Sequence, residues 1–170
     1  MEFLELARKR YSVRAYKPDP VEEDKLQKVL DAAIIAPTPA NSQAFKLIVI
    51  HTAGKETELL TIYNRPWFVQ SPLIICGVGI PSQAWLRPRD GRNYLDVGMA
   101  IVFDHLIMEA TDLGLGTCWV AQFEREPARK FLALPKDAEP IIFTPLGYPA
   151  DQPKEKKRRP LTELVRYERW

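Results

Sequence analysis

Residues 91–113, G-R-N-Y-L-D-V-G-M-A-I-V-F-D-H-L-I-M-E-A-T-D-L, follow a helical period, but their apolar residues do not stay on one side. Leu95, Met99, Val102, Leu106 and Ala110 form one stripe, and Ile101, Phe103, Ile107 and Met108 add apolar groups on other faces. A helix that is apolar nearly all round has to be covered from several directions. A chain of 170 residues offers little interior for that, so the segment predicts a homodimer built around this helix. Gly114 is the expected helix terminator, being the residue that most readily adopts the left-handed conformation past a C-cap.

The remaining segments alternate between helix and strand within a single domain spanning 1–170, with no internal repeat and no Gly/Ser linker. Phe3, Leu4 and Ala7 predict a short amphipathic helix, after which Pro18 and Pro20 break the chain. Asp19-Pro20 resembles the start of a second helix. Leu26, Val29, Leu30, Ala33 and Ile34 continue it at helical spacing, and Glu22, Glu23 and Asp24 lie in its first turn, where the helix dipole favours acids. Pro37 and Pro39 end it and force an extended loop. Residues 45–50, 73–79 and 141–144 then read as strands from their β-branched content, and residues 115–123 as a glycine-opened strand and loop.

Composition excludes several classes. A net charge of +2 argues against a broad nucleic-acid footprint. The excess is local: residues 154–159 hold five basic residues and one Glu, and without them the rest of the chain is slightly acidic. Cys76 and Cys118 have no second ligand at metal spacing and read as buried, reduced thiols. His51 reads as a surface residue and His105 as a buried helix residue, neither as a ligand or catalytic base. The start lacks a signal-peptide profile and no apolar run reaches membrane-spanning length, so the expectation is a soluble, cytoplasmic protein with no membrane or nucleic-acid partner.

The clearest chemical signal is R-Y-S-V-R at 10–14. In an extended chain, residues i, i+2 and i+4 point to the same side, so Arg10, Ser12 and Arg14 can face one ligand together. Two guanidinium forks and a small hydroxyl suit a phosphate. The loop between the second helix and the first strand adds Thr38, Asn41, Ser42 and Gln43, which read either as ligand contacts or as turn chemistry.

Taken in order, R-Y-S-V-R at 10–14, A-P-T-P-A-N-S-Q at 36–43, the helix containing Asp96, L-G-L-G-T-C-W-V at 113–120, L-G-Y-P at 146–149 and R-R-P-L at 158–161 resemble the nitroreductase family, in its short form, over essentially the whole chain. The resemblance implies an α+β class: a three-layer fold with a central, mainly antiparallel sheet flanked by helices, dimeric, with FMN in the dimer cleft. It implies that Arg10, Tyr11, Ser12, Val13 and Arg14 hold the FMN phosphate and ribityl chain, joined by Lys156 and Arg158 from the basic tail, with Arg159 an adjacent competitor. It also implies that Pro37, Thr38, Asn41 and Gln43 border the flavin ring and that Trp119, Val120 and Ala121 line its N5 side. Asn64 and Arg65 are alternatives for the pyrimidine end. Relatives have Pro-Trp after the Gln where this chain has Ala44-Phe45, a departure that loosens the turn.

The implied activity is transfer of electrons from NAD(P)H to a quinone, a nitroaromatic or a similar small acceptor by a ping-pong mechanism, with the flavin doing the chemistry and no catalytic side chain required. The absence of any Ser-His-Asp or Cys-His arrangement and of G-x-G-x-x-G after a strand agrees with that scheme. Trp67, Phe68, Trp85 and Tyr94, within residues 63–94, form either an aromatic lid or ordinary packing. Three other readings stay open: a flavin-degrading or dehalogenating relative, an FMN storage or redox-sensing module, and a basic-tailed interaction protein without flavin.

Overall fold

In a computed structural model the chain is described over residues 2–170. Its helices are α1 (Phe3–Lys9), α2 (Glu23–Ile34), α3 (Glu56–Ile62), α4 (Leu95–Asp112), α5 (Arg125–Phe131) and α6 (Leu161–Leu164). Four strands, β1 (Phe45–His51), β2 (Leu73–Gly79), β3 (Gly116–Thr117) and β4 (Glu139–Gly147), form one antiparallel sheet in the order β1-β2-β4-β3. Strand β2, a run of apolar residues and glycine, is buried on both faces along its whole length, as an interior strand covered by helices requires.

Alternation along the strands sorts the core into two halves. Leu73, Ile75, Ile142 and Leu146 face α2 and α4, while Ile74, Cys76, Val78 and Phe143 face α3, α5 and the short turn Pro66–Val69. The result is helices, sheet, helices, the expected three layers. Helix α4 comes close to the sheet because β2 has glycine beneath it: a Cβ on Gly77 would lie 2.5 Å from Phe103 and 2.6 Å from Met99.

Helix α4 begins at Leu95, four residues later than the pattern suggested, because residues 85–94 instead fold back as a hairpin with Leu86 opposite Asn93. Helix α2 starts at Glu23 and not at Asp19-Pro20; Glu22 accepts a hydrogen bond from Tyr148 at 2.6 Å and so ties the helix to the end of β4. Within the single chain α4 is covered on one side. Val97, Ala100 and Asp104 lie on its exposed side, with Ile101 and Met108 partly covered.

The site-bearing edge of the sheet is built by residues 10–17. Val13 is buried and donates its amide to the Thr117 carbonyl at 2.9 Å, and its side chain rests where a Cβ on Gly116 would stand at 2.7 Å. Glycine at 116 is what admits this extra strand. On its far side Lys17 bonds to Tyr148 and Ala150 to Ala15, which clamps the segment between β3 and the chain leaving β4.

Candidate functional site

With Val13 turned into the core, the extended backbone sends its alternate neighbours outward, and Arg10, Ser12 and Arg14 line a cavity of about 400 Å³. Lys156 and Arg158 line the same cavity; Arg159 does not. Lys156 is fixed there by donating to the carbonyls of Ala7, at 3.1 Å, and Arg8, at the C-terminal end of α1. Burial, followed by repulsion from Arg10 and Arg158, lowers its pKa. Crowding of like charge of this kind favours a bound anion. Arg14 is steered by Trp67, whose ring centroid lies 5.9 Å from the guanidinium carbon.

Asp151, which the sequence reading passed over, fastens this cavity together. Its carboxylate accepts from the Arg14 amide at 2.8 Å and from the Tyr11 hydroxyl at 3.1 Å, so it joins the 10–14 strand to the start of the basic tail. Burial, reinforced by the Asp151 contact, pushes the Tyr11 pKa up to about 12. The only sequence signal for Asp151 is its position, immediately before the basic run and after a strand-ending G-Y-P.

From this cavity a groove runs along the sheet edge. Arg10, Tyr11 and Ser12 also line a second recess of about 160 Å³ with Asp104, Thr117 and Trp119, and Trp119 in turn lines a third of about 500 Å³ with Met99, Ala121 and Ile142. Trp119 is 44% exposed and meets the Phe103 ring edge-on at 5.9 Å, so it is a groove wall and not core. Met99 and Ile107 are groove residues that helix periodicity assigned to a face and not to a site, and Asp104 is one that the sequence pattern did not single out.

The backbone around Trp119 is shaped by Pro145. Val120 and Phe143 exchange both hydrogen bonds at 2.9 Å, and two residues further along the same register Cys118 stands opposite Pro145, which has no N–H to give. The Cys118 amide instead donates to the Thr144 hydroxyl at 3.2 Å. The ladder is interrupted there. Among the described residues, the amides of Trp119 and Ala121 donate to no protein acceptor; they alternate with the Val120 amide and so point away from β4.

Two expected contacts turn the other way. Val13 is buried, with its amide on Thr117 and its carbonyl on the Tyr16 hydroxyl, and Val120 is buried with both backbone groups on Phe143. Both are anchors that hold their neighbours in place. Pro37, Thr38, Asn41 and Gln43 line none of the three recesses. Thr38 packs at the start of α4, sharing a small recess with Tyr94, Gly98 and Met99, and Met99 also lines the third recess of the groove, so the loop borders that end of it. The loop is nonetheless strongly shaped: Ala40, Asn41 and Gln43 all have positive φ, and the Thr38 hydroxyl accepts the Gln43 amide at 3.0 Å. For Ala and Gln that conformation is strained.

The four aromatics of residues 63–94 do not make one lid. Phe68 is core and Trp67 packs edge-on to it and to Tyr63, while Trp85 and Tyr94 pair with each other on the hairpin. Asn64 and Arg65 are exposed and line none of the three recesses. Cys76 and Cys118 are buried free thiols, and burial raises the pKa of each. Among the described residues no group of three or more His, Cys, Asp or Glu could hold a metal ion, and no helix is long and apolar enough to cross a membrane.

Comparison with known proteins points the same way as the groove. The sequence matches the profile of the Nitroreductase family over residues 7–63 and 57–148. The fold superposes on the crystal structure of a nitroreductase family protein from Clostridium difficile 630 with a TM-score of 0.93, 40% identity and full coverage of both chains. Among curated relatives, the chain is 24% identical to an NADH dehydrogenase of Thermus thermophilus, over 94% of this chain and 92% of that one. It is also 24% identical to an FMN reductase [NAD(P)H] of Bacillus subtilis, over 88% of this chain and 66% of that one.

Proposed function

The chain belongs to the nitroreductase family, and from that premise we propose that it is an FMN-dependent oxidoreductase that takes electrons from NAD(P)H and passes them to a small acceptor. The observation that supports this most is the clustering of Arg10, Ser12, Arg14, Lys156 and Arg158 around one cavity that opens into a groove walled by Trp119. The donor set fits the cofactor. A phosphomonoester of about −1.5 to −2 charge meets a cavity whose cations outnumber its acids, and the groove suits a long ligand with an anionic tail and a flat ring. Bound there, FMN would supply the two-electron chemistry that the protein's own side chains lack.

The roles of the residues follow from their positions. Arg10, Arg14, Arg158 and Ser12 would hold the phosphate with charge-assisted hydrogen bonds, and Lys156 would neutralise remaining charge. The free amides of Trp119 and Ala121 present donors to the ring edge, and the open recess beside Trp119 admits the nicotinamide and the acceptor one after the other, in a ping-pong sequence with a quinone or nitroaromatic as acceptor.

The functional unit in this proposal is a homodimer. The isolated chain exposes 10865 Å², against about 8,500 Å² for a compact monomer of this mass. Much of the excess is apolar: Val97 on α4 and Leu161, Leu164, Val165 and Trp170 in the C-terminal segment are exposed. Pairing across α4 would cover these residues and would bring Thr38, Asn41 and Gln43 to the partner's groove, a use that accounts for their strained backbone. The test is an anaerobic stopped-flow mix of FMN-loaded protein with NADH and with NADPH, followed by menadione or a nitroaromatic. Bleaching of the flavin by a nicotinamide and recovery on adding acceptor is the expected result; no bleaching by either donor would overturn the proposal.

A further inference from the structure

The hairpin that precedes α4 lines none of the three recesses with its arginines, yet it carries three of them, Arg87, Arg89 and Arg92. Its arms are joined by hydrogen bonds from Arg87 to Arg92 at 2.9 Å and from Tyr94 to Trp85 at 3.1 Å, and Gly91, at φ 68°, closes the tip. Trp85 and Tyr94 pack against each other with ring centroids 5.1 Å apart. The guanidiniums of Arg87 and Arg92 both lie over the Tyr94 ring, 5.6 and 5.4 Å from its centroid. Arg87 is spoken for: it pairs with Asp90 through both carboxylate oxygens and donates to the Tyr94 hydroxyl at 2.8 Å. Arg89 and Arg92 form no salt bridge among the described residues, the Arg92 amide alone donating to Asp90 Oδ1 at 3.2 Å, and both are exposed. One arginine braces the turn and two are left with open forks.

Position gives this pair a use. Tyr94, at the base of the hairpin, is two residues from Asp96, which lines the recess beside Trp119 where a nicotinamide has to enter. The hairpin tip lies about four residues beyond Tyr94, roughly 13 Å at ~3.3 Å per residue. A dinucleotide whose nicotinamide end occupies the recess must run its adenosine end outward over the rim. NADPH differs from NADH there by one group, a 2′-phosphomonoester of about −1.5 to −2 charge, and two exposed guanidiniums without a salt bridge, one of them, Arg92, over the Tyr94 ring, are suited to that group.

Resting on the reading of the groove given above, we propose that Arg89 and Arg92 form a clamp for the adenosine 2′-phosphate, so that the protein selects NADPH over NADH. Arg87 and Asp90 hold the turn that presents the clamp. Arg89 and Arg92 line none of the three recesses assigned to FMN, so the clamp acts on the donor alone.

The experiment compares kcat/KM for NADPH and NADH in FMN-loaded wild type and in the double variant Arg89→Ala/Arg92→Ala, alongside calorimetric binding of adenosine 2′,5′-bisphosphate and AMP. Wild type should favour NADPH by tenfold or more. The double variant should lose most of that ratio while its NADH-driven kcat/KM stays within twofold, which also reports that it has folded. A wild-type ratio near one, or an equal loss with both donors, would overturn the clamp. If neither donor bleaches the flavin, the proposed donor chemistry fails and binding decides the clamp: bisphosphate at least tenfold tighter than AMP in wild type only upholds it, and equal binding rejects it.

Discussion

Replacing Gly77 by alanine tests how closely the site is coupled to the sheet beneath it. The added Cβ would stand 2.5 Å from Phe103 Cε2, 2.6 Å from Met99 Sδ and 3.0 Å from Ile142 Cγ2. Carbon atoms settle about 3.5–4.0 Å apart, so α4 or its side chains must give way by roughly 1 Å. Phe103 and Met99 are both buried, and overpacking in such a place costs about 1–3 kcal/mol; two contacts this short put the substitution in the upper half, about 2–3 kcal/mol. At about 2–4 °C per kcal/mol for a chain of this size, the apoprotein should melt roughly 4–12 °C lower. Because Phe103 lies against Trp119, tryptophan fluorescence and FMN affinity should change with it. Urea titration of the FMN-free protein followed by circular dichroism gives the stability without ligand stabilisation. Phe103→Leu should recover at least about 1 kcal/mol of the loss beyond additivity in a double-mutant cycle. A Gly77→Ala protein within about 0.5 kcal/mol of wild type would show that α4 does not rest on that strand as described.

Arg14→Ala should weaken FMN binding by about 1.5–3 kcal/mol, the range for hydrogen bonds to charged groups; equilibrium dialysis showing unchanged affinity would move the phosphate elsewhere. Ala40→Gly should raise stability by about 0.5–1 kcal/mol, since it relieves a positive φ that costs alanine about 1–2 kcal/mol and gives back part of that in chain entropy; a melt showing destabilisation would refute the strain. The hydrogen bond from Tyr148, then backbone and Lys25 contacts, hold the Glu22 carboxyl at about 2, down from 4.5. Its contribution to stability is therefore complete above about 4.5 and is lost as pH falls through about 2, so acid melts of Glu22→Gln and wild type should converge below pH 2 and not at pH 4. Tyr11, raised from 10.0 to about 12 by burial and then by Asp151, should stabilise the fold fully below pH 10 and lose that effect as pH approaches 12; an ultraviolet titration in which Tyr11→Phe removes a tyrosine ionising near 10 would contradict the contact.

What could be read from the sequence was whatever a local pattern determines. Strand β2 was legible to the residue because apolar residues and glycines run unbroken between Pro72 and Ile80, and α4 was legible apart from its first turn. The shared cavity of Arg10, Ser12 and Arg14 was legible because side-chain alternation needs only an extended backbone. Helices α3 and α5 were missed: each is seven residues long with a single narrow apolar edge, too short for periodicity to register. Asp151 was missed because one acid beside a basic run looks like a solvated charge. Val13 and Val120 were placed in the site because they adjoin site residues in sequence, when it is their inward turn that points those neighbours outward. Thr38, Asn41 and Gln43 expose a different limit, since loop composition alone does not say which recess a loop borders.

The pairing of Val120 with Phe143 has a consequence for how a groove like this can change over time. Because those two residues exchange both hydrogen bonds at 2.9 Å, the amides of Trp119 and Ala121 on either side of Val120 point away from β4, and they do so whatever side chain occupies position 119. Substitutions at 119 can reshape the groove wall while the main-chain donors stay in place. If the groove holds the proposed flavin, its ring contacts are thereby insulated from drift in acceptor preference. The vulnerable positions are the inconspicuous pair behind the wall, 120 and 143, where a proline at either would remove one of the two hydrogen bonds and free the strand to turn those donors aside.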